Sequence, residues 1–388
     1  MSLRVGYNPP LRIWIAGVED SMRMKTGSGL AGLVGALFLA GLAGCMPGSD
    51  AWTWQYALNA AAGEMNYLAR AVPIEQGLND ATLTQEQRDK LSIVIQAREY
   101  AEQVVGLNVG SSYRSFVNLG DEALAYNLSA SRKDAIEAYS WNIPVVGPMT
   151  YLGFFNYDDA IAERDYLVSQ KYDTFIYEID AFSTLGYLPD PVSSALLRRS
   201  VPSLADTVIH ECLHNTIWSA YSEVYNESLA TFVGRTGGLA FIAQEFGADS
   251  PLLQQTTDGY EDNARINVFL SGLADEVNAL YARDISYDEK LAGREVIFEA
   301  ARQRFKAEVQ PTLHDGDRYA VYGTLAYNNA FLLVNVRYNS DLQVFRDVYE
   351  SVGQSWPQSL EVFQQAARST DPFAYLHDYL VAKASATP

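Results

Sequence analysis

Thr207-Val-Ile-His-Glu-Cys-Leu-His214, followed by Asn226-Glu-Ser-Leu-Ala-Thr-Phe-Val-Gly234, decides how this chain is to be read. The first stretch reads as a helix, and in a helix residues four apart share a face, so His210 and His214 point the same way. Imidazole nitrogen is a preferred zinc donor, and two at this spacing converge on one ion. Glu211 flanks that face instead of ligating, the position of a base that takes a proton from the attacking water. Val208, Ile209, Leu213, Ile217 and Trp218 surround these polar groups, and the chain has only four histidines. Two of the four standing in this pattern is not what a solvent-facing helix produces by chance.

A catalytic zinc needs three protein ligands and one open position. A metzincin-type third histidine would stand at position 220, with glycine at 217, but those residues are Ala220 and Ile217. His314 and His377 lie far along the chain without a local ligand pattern, in a polar loop and on a helix face. A carboxylate on a following helix is the next candidate. Twelve residues, 215–226, separate Glu227 from His214, room for one helix to end near Trp218 and another to start near Asn226. Ala230, one turn further, lets two helices approach. Glu223 is the competing ligand, and Glu227 also reads as a first-turn acid favoured by a helix dipole. Cys212 projects away from both histidines and reads as a small buried hydrophobe.

With 388 residues and a 48% hydrophobic composition the chain has material for a large core. A net charge of -19 without a basic stripe argues against nucleic acid as a partner. Two cysteines make no disulfide framework. Cys45 has its own reading. Arg23 and Lys25 precede an uncharged apolar run, Gly27 to Gly44, which ends Leu42-Ala43-Gly44 before the cysteine. Basic, apolar and small-residue regions in that order describe a secretory signal, and the cysteine after Leu-Ala-Gly resembles a bacterial lipobox. The expectation is a signal over 1–44, a lipidated Cys45 and a tether over 45–50, with Met22 and Met24 as alternative starts. About 18 residues is marginal for a membrane span. Met46 after the lipidated cysteine points to the periplasmic face of the outer membrane, where acyl chains anchor the protein. The run Gly27-Ser-Gly-Leu-Ala-Gly32 matches a dinucleotide fingerprint by letters, yet lies inside this leader and follows no strand.

The rest, 51–388, reads as a single domain of the α+β class, mostly helical and zincin-like, with a small mixed or antiparallel sheet in its first half. Residues 51–72 form an alanine-rich helix. Thr84-Gln-Glu-Gln87 is a capping box opening a helix to about Val105. Between Tyr113 and Tyr151 short aromatic and β-branched runs such as Phe116-Val117 and Val145-Val146 predict antiparallel strands. A helix follows at 158–170 and a strand at 174–179. From Ser203 the pattern is helical: 204–218, 227–246, 251–283, 287–309, 325–337, 340–352, 357–369 and 372–384. The active-site helices therefore occupy about 203–246.

The metal motif and Asn226 to Gly234 resemble a bacterial family of zinc aminopeptidases known by prediction, which are gluzincin-like. Ala181-Phe-Ser-Thr-Leu-Gly186 with Asp190-Pro191, Pro144-Val-Val-Gly147 with Tyr151-Leu-Gly-Phe-Phe155, and Asn328-Asn-Ala330 are similar to that family's motifs too. Cys212-Leu213 departs from it, where small and aliphatic residues are more usual. The resemblance implies a zinc peptidase acting on peptides in the cell envelope, and it alone implies amino-terminal specificity.

The chemistry expected is hydrolysis at one zinc held by His210, His214 and Glu227, with Glu211 as proton carrier. Tyr338, in the family-like stretch after Asn328-Asn329, is the candidate oxyanion donor, although it is one tyrosine among 25. Ser183, Thr184 and Gly186 are expected to line the cleft and hold an extended peptide, or else simply to join a strand to a helix. Asn329 is grouped with them as substrate-binding. Glu178, Asp180 and Asp206 are candidates to bind a substrate ammonium. Two other readings stay open: an endopeptidase with the same site, and an envelope lipoprotein whose metal is structural or vestigial. Oligomeric state is not legible.

Overall fold

The computed structural model describes residues 50–386 apart from 145–146, 182–183 and 185–187. The leader, Cys45, and Ser183 and Gly186 of the expected peptide-lining segment lie outside the described residues, as does Val145-Val146. The fold is mostly helical with small sheets, an α+β arrangement.

Helix α1 (Asp50–Ala69) leads into strand β1 (Val72–Pro73) and the short helix α2 (Ile74–Leu78). Helix α3 (Gln85–Tyr100) opens on the capping box: the Thr84 hydroxyl accepts from Gln87 N at 3.2 Å, and the Gln87 side chain accepts from Thr84 N at 2.8 Å. A π-turn over Ala101–Val105 ends it, and Gly106 at φ 87° reverses the chain where a side chain would be strained.

Three small sheets replace the single antiparallel piece expected. The largest sets β3 (Ala125–Arg132) between β6 (Tyr151–Phe154) and β7 (Tyr172–Ile179), all antiparallel. Leu128 stands opposite both Leu152 and Ile176, and that face packs with Ala160 and Leu167 of α4 (Tyr157–Ser169). The other face carries Tyr151 and Tyr177 toward α9 (Asn329–Asn339), against Val334 and Tyr338. Being covered on both sides, β3 buries Asn127, Ser129 and Ser131, so the alternation of an edge strand is missing from its sequence. A second sheet joins β1, β2 (Ser115–Val117) and β8 (Val192–Ser193), with β2 and β8 parallel. Strands β4 (Trp141–Ile143) and β5 (Gly147–Met149) form a separate pair.

The helical half is built on α5 (Val201–His214) and α6 (Glu223–Phe246). Helices α10 (Leu342–Ser351), α11 (Trp356–Ala367) and α12 (Pro372–Ala386) share one apolar core with them. A second core lies between α7 (Pro251–Tyr281), α8 (Tyr287–Arg304) and the segment entering α9. Two helix boundaries differ from expectation near the motif. Helix α5 stops at His214, not Trp218, with Asn215 as its C-cap. Helix α6 starts at Glu223, because the Ser222 hydroxyl accepts from Tyr225 N at 3.1 Å. The connection between them is tied by Asn226, whose amide exchanges two 2.8 Å hydrogen bonds with the backbone of Ser219.

Candidate active site

Helix α5 is placed by packing on both sides, and its last two turns carry His210, Glu211 and His214, each at most 2% exposed. Helix α6 lies against it along a face of small residues. A Cβ at Gly234 would lie 2.8 Å from the backbone oxygen of Asp206 and 3.1 Å from His210 Cβ, and one at Gly237 would lie 3.3 Å from Ile209. That closeness brings Glu227, fully buried in the second turn of α6, over the two histidines. Its Oε2 is 3.4 Å from His210 Nε2 and 3.8 Å from His214 Nε2. The histidine rings meet edge to face, with centroids 4.9 Å apart.

Ligand-capable atoms of the three residues all lie within 4.8 Å of one another. Two donors about 2.05 Å from a tetrahedral ion stand about 3.3 Å apart, so the triad needs little adjustment to hold one. Two imidazoles and one carboxylate, buried together, can bind a metal ion and leave a fourth position open.

Glu223, the competing ligand, is engaged elsewhere. It pairs with Arg337 Nε at 2.7 Å and accepts from the Thr150 hydroxyl at 2.8 Å. It is also the first-turn acid of α6, the role that Glu227 loses once the helix starts three residues earlier than expected.

Tyr338, on α9, packs with Tyr151, Tyr177 and Val334. Burial raises its pKa far above the ordinary tyrosine value, and the Glu227 charge raises it further. Among the described residues its hydroxyl has no hydrogen-bond partner. The Arg337 guanidinium lies 4.7 Å over the Tyr151 ring and brings positive charge to this wall. One turn before His210, Asp206 is buried, accepts from the Tyr260 hydroxyl at 3.2 Å, and bears electrostatically on His210. Such partners orient imidazole ligands.

Other expected residues fare differently. Asn329 is engaged within the fold: its amide donates to the backbone of Arg132 (2.8 Å) and Ala135 (3.2 Å), and accepts from the Tyr281 hydroxyl at 3.0 Å, which ties α9 to the end of β3 and to α7. Thr184 closes a turn on itself through Leu188, and its N–H donates to both oxygens of Asp190 at 3.1 Å. Asp180 is held by Arg199 in a two-pronged ion pair at 2.7 and 2.8 Å, while Glu178 is exposed. Asp180 and Asp206 are thus engaged within the protein, and Glu178 faces solvent. Cys212 is buried in the helix core, which pushes its thiol pKa up strongly. His314 and His377 pair with Glu261 and Asp341 at 3.0 and 2.8 Å, away from the motif.

Three buried residues were given no site role in sequence: Glu64, Tyr113 and Asp190. Asp190 accepts from the Ser112 hydroxyl at 3.1 Å, and Ser112 meets Asn215, one turn beyond Glu211, at 3.4 Å. Tyr113 sits at φ 61°, a left-handed conformation unusual for a bulky residue, with its N–H on Asp190 O at 2.7 Å. The available signal was Pro189-Asp-Pro191, a proline-bracketed acid, read as a loop and, in Asp190-Pro191, as a family-like motif without a role.

Two histidines and a carboxylate on paired helices, with an acid beside the first histidine, form a donor set that could hold a metal ion. The chain belongs to the Aminopep family, described as "Putative aminopeptidase", whose model matches residues 55–372. That span contains every residue of the site. No curated protein and no solved structure matches the chain. Among the described residues no helix is long and apolar enough to cross a membrane.

Proposed function

We propose that this protein is a zinc-dependent peptidase acting from the amino terminus of peptides, tethered in the bacterial envelope through a lipid on Cys45. The observation that carries the reading is the convergence of His210, His214 and Glu227 within 4.8 Å, with Glu211 buried on the same helix. Two nitrogens and one oxygen at near-tetrahedral spacing favour zinc over harder ions, which take oxygen donors. Such an ion acts as a Lewis acid on water and on the scissile carbonyl. Glu211 takes the proton of the attacking water and passes it to the leaving amine. Tyr338 donates to the oxyanion, as the position of its buried hydroxyl beside Glu227 supports. Asp206 holds His210 in orientation. The buried walls keep bulk water away and strengthen these interactions.

Metal analysis of the purified protein, with a Glu211→Gln assay on aminoacyl-anilides and a protein substrate, tests this. Expected are one zinc per chain in both proteins, anilide hydrolysis by the wild type, and a loss of about 100-fold or more in the variant. Cleavage of the protein substrate but not the anilides makes it an endopeptidase. Activity on neither, without bound zinc, sinks the enzyme reading and leaves an envelope lipoprotein.

A further inference from the structure

Where α1 meets the Asp190 segment, through the Tyr67 hydroxyl on Pro191 O at 3.1 Å, lie buried polar groups that the hydrolytic step does not use. Glu64, on α1, is 8% exposed, and neither of its carboxylate oxygens has a hydrogen-bond partner. The charged neighbour that bears on it is a second acid, Asp190, itself 2% exposed. The Tyr113 hydroxyl is likewise buried and without a partner. Of its charged neighbours Glu211 bears on it most and Asp190 less, and its own N–H donates to Asp190 O at 2.7 Å.

This arrangement is costly unless something positive completes it. A buried carboxylate either meets a cation or takes up a proton. Burial first, and Asp190 second, push the Glu64 carboxyl up to about 8; burial raises Asp190 to about 6 against the hydrogen bonds from Thr184 and Ser112. The left-handed backbone at Tyr113 adds strain of the kind that collects at functional sites. The groups on offer are two carboxylates and a phenol oxygen, three acceptors without a histidine. A primary ammonium has three N–H donors to match them.

We infer that Glu64, Asp190 and Tyr113 form the subsite that receives the α-ammonium group of an unblocked peptide. This rests on the hydrolase reading, and it names the substrate class: free amino termini, with the first peptide bond presented to Glu211. An acetylated terminus has no charge to satisfy the acids and one N–H to offer.

The test uses L-leucinamide and N-acetyl-L-leucinamide as calorimetric probes on the full protein, wild type and Glu64→Gln. Expected is a preference of at least 30-fold for the free amine in the wild type, falling tenfold or more in the variant. The ratio of kcat/KM for a free over an N-acetylated peptide falls in parallel, mainly through KM. Equal binding of the two probes by the wild type, or an undiminished preference in Glu64→Gln, overturns the inference. Should Glu64→Gln not fold, Tyr113→Phe decides: leucinamide binding weakened several-fold supports the subsite, and no change removes it. The two levels fail separately. Lack of zinc or of hydrolysis defeats the peptidase reading while Glu64-dependent leucinamide binding stands, and a peptidase indifferent to acetylation defeats the subsite and amino-terminal action while the hydrolase stands.

Discussion

Replacing Gly234 by alanine tests whether the closeness of α5 and α6 creates the metal site. In an open helix the change stabilises by about 1 kcal/mol, because glycine loses more backbone entropy on folding. Here the new methyl would overlap the Asp206 carboxylate and lie 2.8 Å from that residue's backbone oxygen and 3.1 Å from His210 Cβ. Asp206 is fixed by Tyr260, and a backbone oxygen inside a helix does not step aside. The helices must part by several tenths of an ångström. Overpacking of this kind costs about 1–3 kcal/mol, so the net effect is a loss of up to about 2 kcal/mol despite the propensity gain. At an unfolding entropy of about 2.1 cal/mol/K per residue that lowers Tm by up to about 3 °C. Glu227 lies two turns earlier on the same face, so its carboxylate moves away from the histidines and zinc affinity drops about tenfold or more. Gly272, in the middle of α7, has nothing within 4 Å of its would-be Cβ. Gly272→Ala is therefore the matched control and should raise stability by about 0.5–1 kcal/mol. Thermal melts and a competitive zinc titration on both variants decide the matter. If Gly234→Ala melts higher than wild type with unchanged zinc affinity, the helix pair is not tightly packed and the argument fails.

Further outcomes follow from other parts of the structure. Glu227→Ala removes the third donor and should weaken zinc binding by more than about 100-fold, measured by dialysis against a chelator. The fold holds Glu64 neutral up to about 8, whereas in the unfolded chain it ionises from about 4.5. Stability is therefore lost as pH rises between those values, by at most about 5 kcal/mol. Glu64→Gln removes that loss, so its Tm relative to wild type should climb from pH 5 to pH 8, and a flat difference would count against the buried acid. Arg294 holds Asp173 in a buried two-pronged pair at 2.7 and 3.1 Å. Arg294→Ala strands that carboxylate and should cost about 3–5 kcal/mol in urea unfolding.

Most of the helical half and the histidine-glutamate motif of the candidate site could be read locally, because each signal is local. His210, Glu211 and His214 are one turn of one helix, and Thr84 with Gln87 is a cap that needs only four residues. The helix starts at 223 and 329 were placed three or four residues wrong. Ser222 and Asn328 cap from outside the apolar pattern, and periodicity does not see a cap. The sheets were less legible. Strand β3 is buried on both faces with asparagine and serines inside, so neither alternation nor an apolar run marks it.

What no local pattern could supply is the pairing of distant polar groups, and the acids show why. Asp180 and Glu178 stood in the right stretch of sequence, but an acid is useful to a ligand only where no protein cation claims it. Arg199, nineteen residues beyond Asp180, claims it in the fold. Glu64 has the opposite history. It sits on an alanine-rich helix of no evident chemistry, and Asp190, 126 residues later, adds charge of the same sign beside it. Residue type is readable in sequence, whereas the charge that each residue faces is a property of the assembled chain. If the two acids receive an amino terminus, the distinction between an aminopeptidase and an endopeptidase lies in that facing, not in the histidine motif.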